Sequence, residues 1–345
     1  MANRERVLIV TDAWRPQKNG VVIALEKMKE LLEKKGYGVA IAHPYLSPFR
    51  LPLFFYPEIE FSIFPSRIIR NAVAKEMPDY IHIATEGPLG LAARNYCVRN
   101  KIRFTTSYHT HYPIYLKLRF GFLFDVAYRY IRWLHRDAVR TMVATETMKD
   151  ELQKRKFEHL VIWPLGVDVD FFKKNEHATP PDYLKDAKRP LFIYFGRVAI
   201  EKNVEAFLRC DLPGTKLVVG GGPQCAELKR KYGDTTLFAH SGGYKKDKGL
   251  IDLLSLADVF VFPSKTETFG LVPLEALACE LPVAAYNVMG PKDIVRNNID
   301  GILDDDLKKA ALQCLVLPRK RLRERALAFS WDNSAETFIK NLAKN

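Results

Sequence analysis

The chain has 345 residues and a formal net charge of +13, from 53 Lys and Arg against 40 Asp and Glu. Hydrophobic residues make up 48% of it, which is enough for a large core and excludes a disordered chain. The five cysteines are scattered and lack metal-ligand spacing, so neither a disulfide framework nor a zinc site is predicted. The polar start and the lack of a long apolar run predict a cytoplasmic protein without a secretory signal or a membrane-spanning helix.

The predicted elements begin with a strand at 6–10, a polar loop through Gly20, a helix at 21–35 and a second strand at 38–44. This is a unit of the dinucleotide-binding kind, but it lacks G-x-G-x-x-G, which disfavours a dehydrogenase. Residues 44–65 are rich in Pro, Phe and Tyr and have no clear period, so they predict a long surface loop. Its aromatic side chains would bind an acceptor, enter a membrane or pack on the sheet edge.

The positive charge is concentrated in residues 1–165, which hold 26 Lys and Arg against 16 Asp and Glu. Within 94–140, cations alternate with aromatic residues, and four arginines recur at spacings typical of one helix face. They are Arg129, Arg132, Arg136 and Arg140. This pattern favours an anionic membrane surface as partner. A solvated helix face and a nucleic-acid surface are the alternatives, but no nucleic-acid module accompanies the charge, so no nucleic acid is expected.

Further strands are predicted at 80–83, 141–145 and 160–168, and the alternation with helices restarts at 191–197 and continues to 283–285. The fold class is therefore α/β, with two doubly wound parallel sheets. The predicted domains are 1–165, a Rossmann-like acceptor-side domain, 166–328, a Rossmann-like nucleotide-sugar domain, and 329–345, a terminal helix.

The segment 264–275 follows a buried strand and carries two carboxylates, Glu267 and Glu275, eight positions apart around a loop-to-helix turn. Pro273 is expected at the first helical position and Glu275 in the first turn. The unpaired amides there would hold a diphosphate, and the two carboxylates would accept hydrogen bonds from ligand hydroxyls. Alternatively, Glu275 only offsets the helix dipole. The predicted donor contacts here are Phe269, Gly270, Leu271, Val272 and Glu275.

Two cations, Arg197 and Lys202, stand just beyond the end of another predicted strand. A diphosphate that leaves a sugar gains negative charge, which fixed cations stabilise. The alternative is a pair of solvated surface cations. Gly221 and Gly222 follow a third strand and would let the backbone approach the nucleotide closely.

These motifs resemble the Glu-x7-Glu signature and companion segments of retaining glycosyltransferases of the GT-B fold, family four (group one), in the expected order along nearly the whole chain. Segments 11–22, 56–58 and 107–110 look closest to bacterial diacylglycerol glycosyltransferases and α-mannosyltransferases. The resemblance implies two Rossmann-like domains facing across a cleft, with the terminal helix returning to the first domain.

The resemblance also implies roles for single residues. The catalytic set would be His109, Glu267, Arg197 and Lys202, and Asn19 and Gly20 would lie opposite the donor diphosphate. The basic and aromatic pattern of 94–140 motivates the predicted acceptor or membrane contacts Arg129, Arg132, Trp133 and Arg136, to which Tyr56 is added. Either His109 or its neighbour His111 is alternatively a hydrogen-bonded residue at a strand end. Glu280 stands where relatives commonly carry Gly, so it would be strained if its φ is positive.

The implied reaction moves a hexosyl unit from a UDP- or GDP-sugar to a membrane lipid such as diacylglycerol and forms an α-glycoside. It would need no metal and no cofactor. Asp168-Val169-Asp170 looks like a metal-binding D-x-D, but Gly166-Val167-Asp168 followed by Phe171 resembles the family's interdomain segment, and the fold usually works without an essential metal. The expected partners are the nucleotide sugar, the lipid acceptor and an anionic membrane, with the enzyme peripheral on its inner face. A transferase for lipopolysaccharide or another saccharide and a nonenzymatic sugar-nucleotide sensor are the alternatives.

Overall fold

The computed structural model describes residues 4–17, 19–53, 56–109, 111, 113–114, 124–239 and 248–345. They form two compact units, Met1–Pro164 with Trp331–Asn345, and Leu165–Ser330. The sequence places the first boundary one residue later, after residue 165. The C-terminal segment belongs to the first unit.

The described residues form parallel sheets and surrounding helices. The strands are β1 (Arg6–Val10), β2 (Gly38–Ala42), β3 (Arg50–Leu53), β4 (Tyr56–Ser62), β5 (Tyr80–Ile83), β6 (Thr105–Tyr108), β7 (Arg140–Val143), β8 (Leu160–Ile162), β9 (Leu191–Phe195), β10 (Thr215–Val219), β11 (Leu237–Ala239), β12 (Val259–Phe262), β13 (Val283–Ala285) and β14 (Gly301–Leu303). The helices are α1 (Gly20–Lys34), α2 (Pro65–Glu76), α3 (Pro88–Arg99), α4 (Phe124–His135), α5 (Glu146–Lys154), α6 (Val204–Arg209), α7 (Cys225–Tyr232), α8 (Lys248–Leu256), α9 (Leu271–Ala278), α10 (Pro291–Ile294), α11 (Leu307–Cys314), α12 (Leu322–Leu327) and α13 (Trp331–Asn341).

The first unit is built on a parallel sheet in the order β2-β1-β5-β6-β7-β8. Helices cover both faces of such a sheet, so β1 is a nearly continuous apolar run, and β6, which is Thr-Thr-Ser-Tyr, is also fully buried. The C-terminal helix α13 packs on this sheet, where Phe338 meets the ring of buried His82 at a centroid distance of 4.8 Å. Trp163 Nε1 donates to Ser334 Oγ at 3.0 Å, so a buried hydrogen bond also holds α13 in place.

Two sequence expectations in this unit are wrong. Residues 44–65 are not a long loop, because β3 and β4 pair there as an antiparallel hairpin in a separate two-stranded sheet. Its period is hidden by a register shift between Pro52 and Leu53. Arg140 is not on the helix face of the other arginines, because α4 ends at His135 and Arg140 opens β7.

The second unit repeats the parallel architecture in the order β11-β10-β9-β12-β13-β14. In chain order these strands read 3-2-1-4-5-6, the arrangement of a doubly wound dinucleotide-binding sheet. The direction of winding reverses between β9 and β12. In such sheets ligands bind outside the carboxyl ends of the strands at this reversal. The prediction of two doubly wound parallel sheets is confirmed.

Within the described part of the chain, no helix is both long enough and apolar enough to cross a membrane.

The strain predicted at Glu280 is confirmed. This residue follows the end of α9 and has φ 58°, in the left-handed region where a side chain crowds the backbone. A glycine at this position has no such crowding.

We expect Glu280→Gly to raise the free energy of unfolding by about 1 kcal/mol, because it removes this crowding. The change also removes a 3.9 Å ion pair with Lys174, which is a surface pair of small value. Glu280→Ala is the matched control, since it removes the ion pair but keeps a side chain at positive φ. Urea unfolding should show a higher free energy of unfolding for Glu280→Gly and no increase for Glu280→Ala. Equal effects of Gly and Ala would contradict the account.

Candidate active site

The loops that leave β9 and β12 are tied together at the point where the second sheet reverses its winding. Ser264 Oγ and Thr266 Oγ1 both donate to the Glu201 carbonyl, at 3.1 and 3.0 Å. Asn203 Nδ2 donates to the Pro263 carbonyl at 3.1 Å. Side chains of one loop therefore satisfy the backbone of the other, which fixes the two loops relative to each other.

An ion pair joins the same two loops. Lys202 Nζ lies 2.5 Å from Glu267 Oε1, and both side chains are largely shielded from solvent. The sequence assigned the cation to the phosphates and the carboxylate to the sugar, and the structure brings the two groups together. Arg197 lies on the same loop as Lys202, and its carbonyl accepts the Tyr194 hydroxyl at 2.7 Å.

The helix start at α9 differs from the sequence expectation. Gly270 precedes the helix with φ 98°, so Leu271 is the first helical residue, Pro273 the third and Glu275 the fifth. The predictions of Pro273 at the first position and Glu275 in the first turn are therefore wrong. Leu271 and Val272 still have amides without partners inside the helix. Phe269 is buried with its ring 5.8 Å from that of Phe329, so its side chain belongs to the core.

Glu275 is a buried carboxyl group whose hydrogen-bonding capacity is not satisfied by the described residues. Burial raises its pKa to about 8, and Oε2 has no hydrogen-bond partner among the described residues. A neutral group in the second helical turn does little to offset the helix dipole, which acts in the first turn. Unsatisfied buried polar atoms are rare, and one explanation is a ligand that completes the hydrogen bond.

The glycines after β10 are required by packing within the unit. A Cβ at Gly220 would lie 2.0 Å from the Gly196 carbonyl oxygen, and one at Gly222 would lie 2.4 Å from the Val198 carbonyl oxygen. The Val198 amide donates to the Gly221 carbonyl at 2.9 Å. These contacts hold the loop of Arg197 and Lys202 against the turn after β10. Gly221 and Gly222, predicted as nucleotide contacts, therefore also shape the loop that carries the cations.

Sequence reasoning missed two residues that position the site. Gly290 has φ 86°, and a Cβ there would lie 2.8 Å from the Glu267 Cβ, so the glycine makes room for Glu267. Its amide donates to Asp293 Oδ2 at 3.1 Å. Asn203 has φ 51° and turns the chain from the Lys202 loop into α6. The signal for the first was the Gly-Pro pair at 290–291 after a strand.

In the first unit, Asn19 and Gly20 lie at the start of α1. Asn19 Oδ1 accepts from the amides of Val21 and Val22, both at 3.1 Å, and so forms the N-cap of the helix. Gly20 is the first helical residue. The side chain of Asn19 therefore has a structural role at the start of α1.

The two histidines after β6 differ in their surroundings. Burial lowers the pKa of His109 to about 4, so its imidazole is neutral at pH 7, and its ring lies 5.3 Å from that of Trp163. His111 Nε2 lies 2.5 Å from the Tyr128 hydroxyl. The hydrogen-bonded alternative therefore fits His111.

The basic and aromatic residues of α4 line a surface pocket of about 830 Å³. The lining residues are Val126, Arg129, Tyr130, Arg132, Trp133, His135, Arg136, Lys156, Phe157 and Glu158. Trp133 is held by the Arg94 guanidinium, 3.9 Å from its ring centroid, and Arg132 Nη1 donates to the Arg155 carbonyl at 3.2 Å. Tyr56 lies in β4, and its side chain is outside the described part of the chain.

Two family models match the chain one after the other. "Glycosyltransferase Family 4" matches residues 8–171, and "Glycosyl transferases group 1" matches residues 175–316. The chain belongs to the group 1, family 4 glycosyltransferases of the GT-B fold. The segment matched by the second model contains the Lys202–Glu267 ion pair and the buried Glu275.

Relatives and a solved structure agree with this family. The sulfoquinovosyl transferase SQD2 of Arabidopsis thaliana is 29% identical over 72% of this chain, which spans 51% of that relative's length. A GDP-mannose-dependent alpha-mannosyltransferase of Mycobacterium tuberculosis is 28% identical over 86% of this chain and 83% of its own. An alpha-monoglucosyldiacylglycerol synthase of Streptococcus pneumoniae is 28% identical over 98% and 84%. The fold matches sucrose-phosphate synthase of Thermosynechococcus elongatus with a TM-score of 0.79 at 20% identity, over 98% of both chains.

The raised pKa of Glu275 has a consequence for stability. The pKa of Glu275 is 4.5 in the unfolded chain and about 8 in the folded chain. At a pH between these two values, the unfolded chain has released a proton that the folded chain keeps. Stability therefore falls as the pH rises through this window, by at most about 1.4 kcal/mol per pH unit. Glu275→Gln keeps the shape of the neutral group and cannot ionise. The difference in free energy of unfolding between Glu275→Gln and the unmodified protein should be near zero at pH 5, increase in favour of the variant up to pH 8 and stay constant above.

Thermal unfolding between pH 5 and 9 measures this difference. Glu227→Gln, at an exposed position of α7, is the control and should show no such trend. A gain for Glu275→Gln that is the same at pH 5 and pH 8 would contradict a carboxyl group buried in its neutral form.

Proposed function

We propose that this glycosyltransferase moves a hexosyl unit from a UDP- or GDP-sugar to a membrane lipid such as diacylglycerol, with retention of the anomeric configuration. The observation that carries the proposal is the Lys202–Glu267 ion pair at the sheet reversal, together with a buried, unsatisfied Glu275 in the helix that follows the Glu267 loop. A cation, an ionic carboxylate and a neutral carboxyl group suit the three parts of a nucleotide sugar. The names of the mannosyl- and glucosyltransferase relatives support a sugar donor of this kind.

The diphosphate would bind where positive charge is fixed in place. Arg197 and Lys202 supply two cations, and the amides of Leu271 and Val272 add the positive end of α9. The neutral carboxyl of Glu275 can both donate and accept a hydrogen bond, which matches a ribose hydroxyl. Binding would also satisfy its orphaned oxygen. Gly221 and Gly222 would bring the backbone close to the nucleotide.

The reaction breaks the bond between the anomeric carbon and the phosphate oxygen, and the bonding electron pair stays on the diphosphate. Arg197 and Lys202 offset this charge, so the proposed enzyme needs no metal for that step. The acceptor hydroxyl attacks on the same face of the sugar, and its proton passes to the departing phosphate. Glu267 forms an ion pair with Lys202 and would accept hydrogen bonds from the sugar hydroxyls. His109, neutral at pH 7, would hydrogen-bond the sugar without adding charge.

The α4 pocket supports the lipid half of the proposal. Arg129, Arg132, Arg136 and Lys156 bring four cations to its lining against the single carboxylate of Glu158. Each basic residue near an anionic membrane contributes on the order of 1 kcal/mol, so this surface would attach the enzyme peripherally to the inner face. The glucosyldiacylglycerol synthase relative is named for a lipid product.

The proposal is tested by transfer from radiolabelled UDP-glucose and GDP-mannose to diacylglycerol in phosphatidylglycerol vesicles. The unmodified protein should form, from one of the two donors, a labelled lipid that extracts into organic solvent and from which mild alkali releases labelled glycosylglycerol. Lys202→Met should slow the reaction about a hundredfold, which is the effect of losing ~3 kcal/mol of transition-state stabilisation. Lys229→Met, at an exposed position of α7, should leave the rate unchanged.

Other outcomes separate the alternatives. Transfer to a soluble saccharide but not to diacylglycerol, with no binding to the vesicles, would contradict the lipid acceptor. Nucleotide binding without transfer to any acceptor would indicate a sensor. An unchanged rate for Lys202→Met, in protein with an unchanged melting temperature, would contradict the role given to Lys202.

A further inference from the structure

The β3–β4 hairpin has two faces of opposite character. Phe49 lies opposite Ile63, whose amide donates to the Phe49 carbonyl at 3.1 Å, and Leu51 lies opposite Phe61. Side chains two residues apart on a strand share a face. Phe49, Leu51, Phe61 and Ile63 therefore share one face, and Arg50, Glu60 and Ser62 share the other.

The polar face is the one attached to the rest of the unit. Arg50 pairs with Glu60 at 2.8 Å, and its guanidinium lies 4.8 Å from the ring centroid of Tyr45. Its Nη1 also donates to the Ser47 carbonyl at 2.6 Å, and Ser62 is buried. The ion pair joins the two strands, and the contacts of Arg50 with Tyr45 and Ser47 and the burial of Ser62 attach the hairpin by its polar side.

The apolar face is exposed to solvent. Leu51 is 61% exposed, Phe49 58% and Ile63 47%. Phe64 and Leu46 extend this surface, and the rings of Phe49 and Phe64 meet edge to face at 5.8 Å. We call Leu46, Phe49, Leu51, Ile63 and Phe64 the apolar ridge. A hairpin that turns its polar face inward and its apolar face outward has the reverse of the usual pattern, which marks an interaction surface.

We propose that the apolar ridge inserts into the interfacial region of a lipid bilayer. The charge next to it favours a membrane over a second protein. Helix α2 begins directly after Phe64 and exposes Arg67 and Arg70. Of the two acidic residues of β4, Glu60 pairs with Arg50, and the side chain of Glu58 lies outside the described part of the chain. Neither Arg67 nor Arg70 forms an ion pair with a described residue, and apolar side chains flanked by such positive charge are the combination that binds anionic interfaces.

This inference rests on the proposed lipid acceptor and deepens it. A lipid hydroxyl is reachable only at the membrane surface, so an enzyme that uses it needs an element in the interface. The α4 pocket supplies charge, and the apolar ridge supplies the surface that leaves water. Attachment would then persist in salt, because burial of apolar side chains is not screened as charge pairs are.

Depth-dependent quenching tests the insertion. Phe49→Trp and Leu51→Trp proteins are mixed with phosphatidylglycerol vesicles that carry brominated acyl chains, and the fluorescence of the unmodified protein is subtracted. The added tryptophan should shift to the blue and lose at least half of its intensity. Val316→Trp, at a position 84% exposed in the second unit, is the control and should stay unquenched. Phe49→Trp and Leu51→Trp fluorescence as unquenched as that of the control would overturn the proposal.

A second variant separates the ridge from the active site. Phe49→Ser/Leu51→Ser should lower the vesicle-bound fraction at least tenfold at 0.5 M salt, with Val316→Ser/Leu327→Ser as the matched control. Transfer to a short-chain diacylglycerol dispersed in detergent should be unchanged, which shows that the fold and the chemistry are intact. Unchanged vesicle binding, or dimers of the unmodified protein that the double variant dissociates, would overturn the insertion. If the unmodified protein also fails to transfer sugar to the short-chain diacylglycerol in detergent, the result contradicts the proposed function and not the insertion.

Discussion

The ion pair between Lys202 and Glu267 is the contact on which the candidate site depends. It lies where the second sheet reverses its winding, and it joins the loop after β9 to the loop after β12. Backbone contacts hold the β9 loop in place, because the glycines after β10 let that turn approach it closely. Gly290 leaves the space that Glu267 occupies. A sheet of ordinary topology is thereby given a charged, rigid edge suited to a diphosphate.

Much of this could be predicted from sequence, for a physical reason. Buried parallel strands read as short apolar runs, so both sheets and the strand ends that carry Arg197, Lys202 and Glu267 were identified from the chain. The strain at Glu280 follows from the resemblance, because a residue other than Gly stands where the family commonly has Gly. What sequence could not give is the pairing of Lys202 with Glu267 and the orphaned Glu275 oxygen, because both depend on contacts between loops far apart in the chain.

The errors have equally definite causes. The helix α9 begins two residues before Pro273, because Gly270 can take a positive φ and start the turn earlier. The β3–β4 hairpin was read as a loop because Pro52 and a register shift interrupt its alternation. Membrane entry was one of three alternatives for the aromatic side chains of this segment, and the sequence alone could not choose between them. Sequence shows that a residue is apolar, and only the fold shows that the face it shares points away from the core.

The central claim is that the loops after β9 and β12, at the carboxyl ends of these strands in the second unit, hold the donor. A crystal structure with bound UDP or GDP, whichever stabilises the protein more in melting, tests it most directly. The account predicts the diphosphate in hydrogen-bonding contact with Arg197, Lys202 and the first amides of α9, and a ribose hydroxyl on Glu275. A nucleotide bound elsewhere, with the Glu275 carboxyl still unsatisfied, would contradict it.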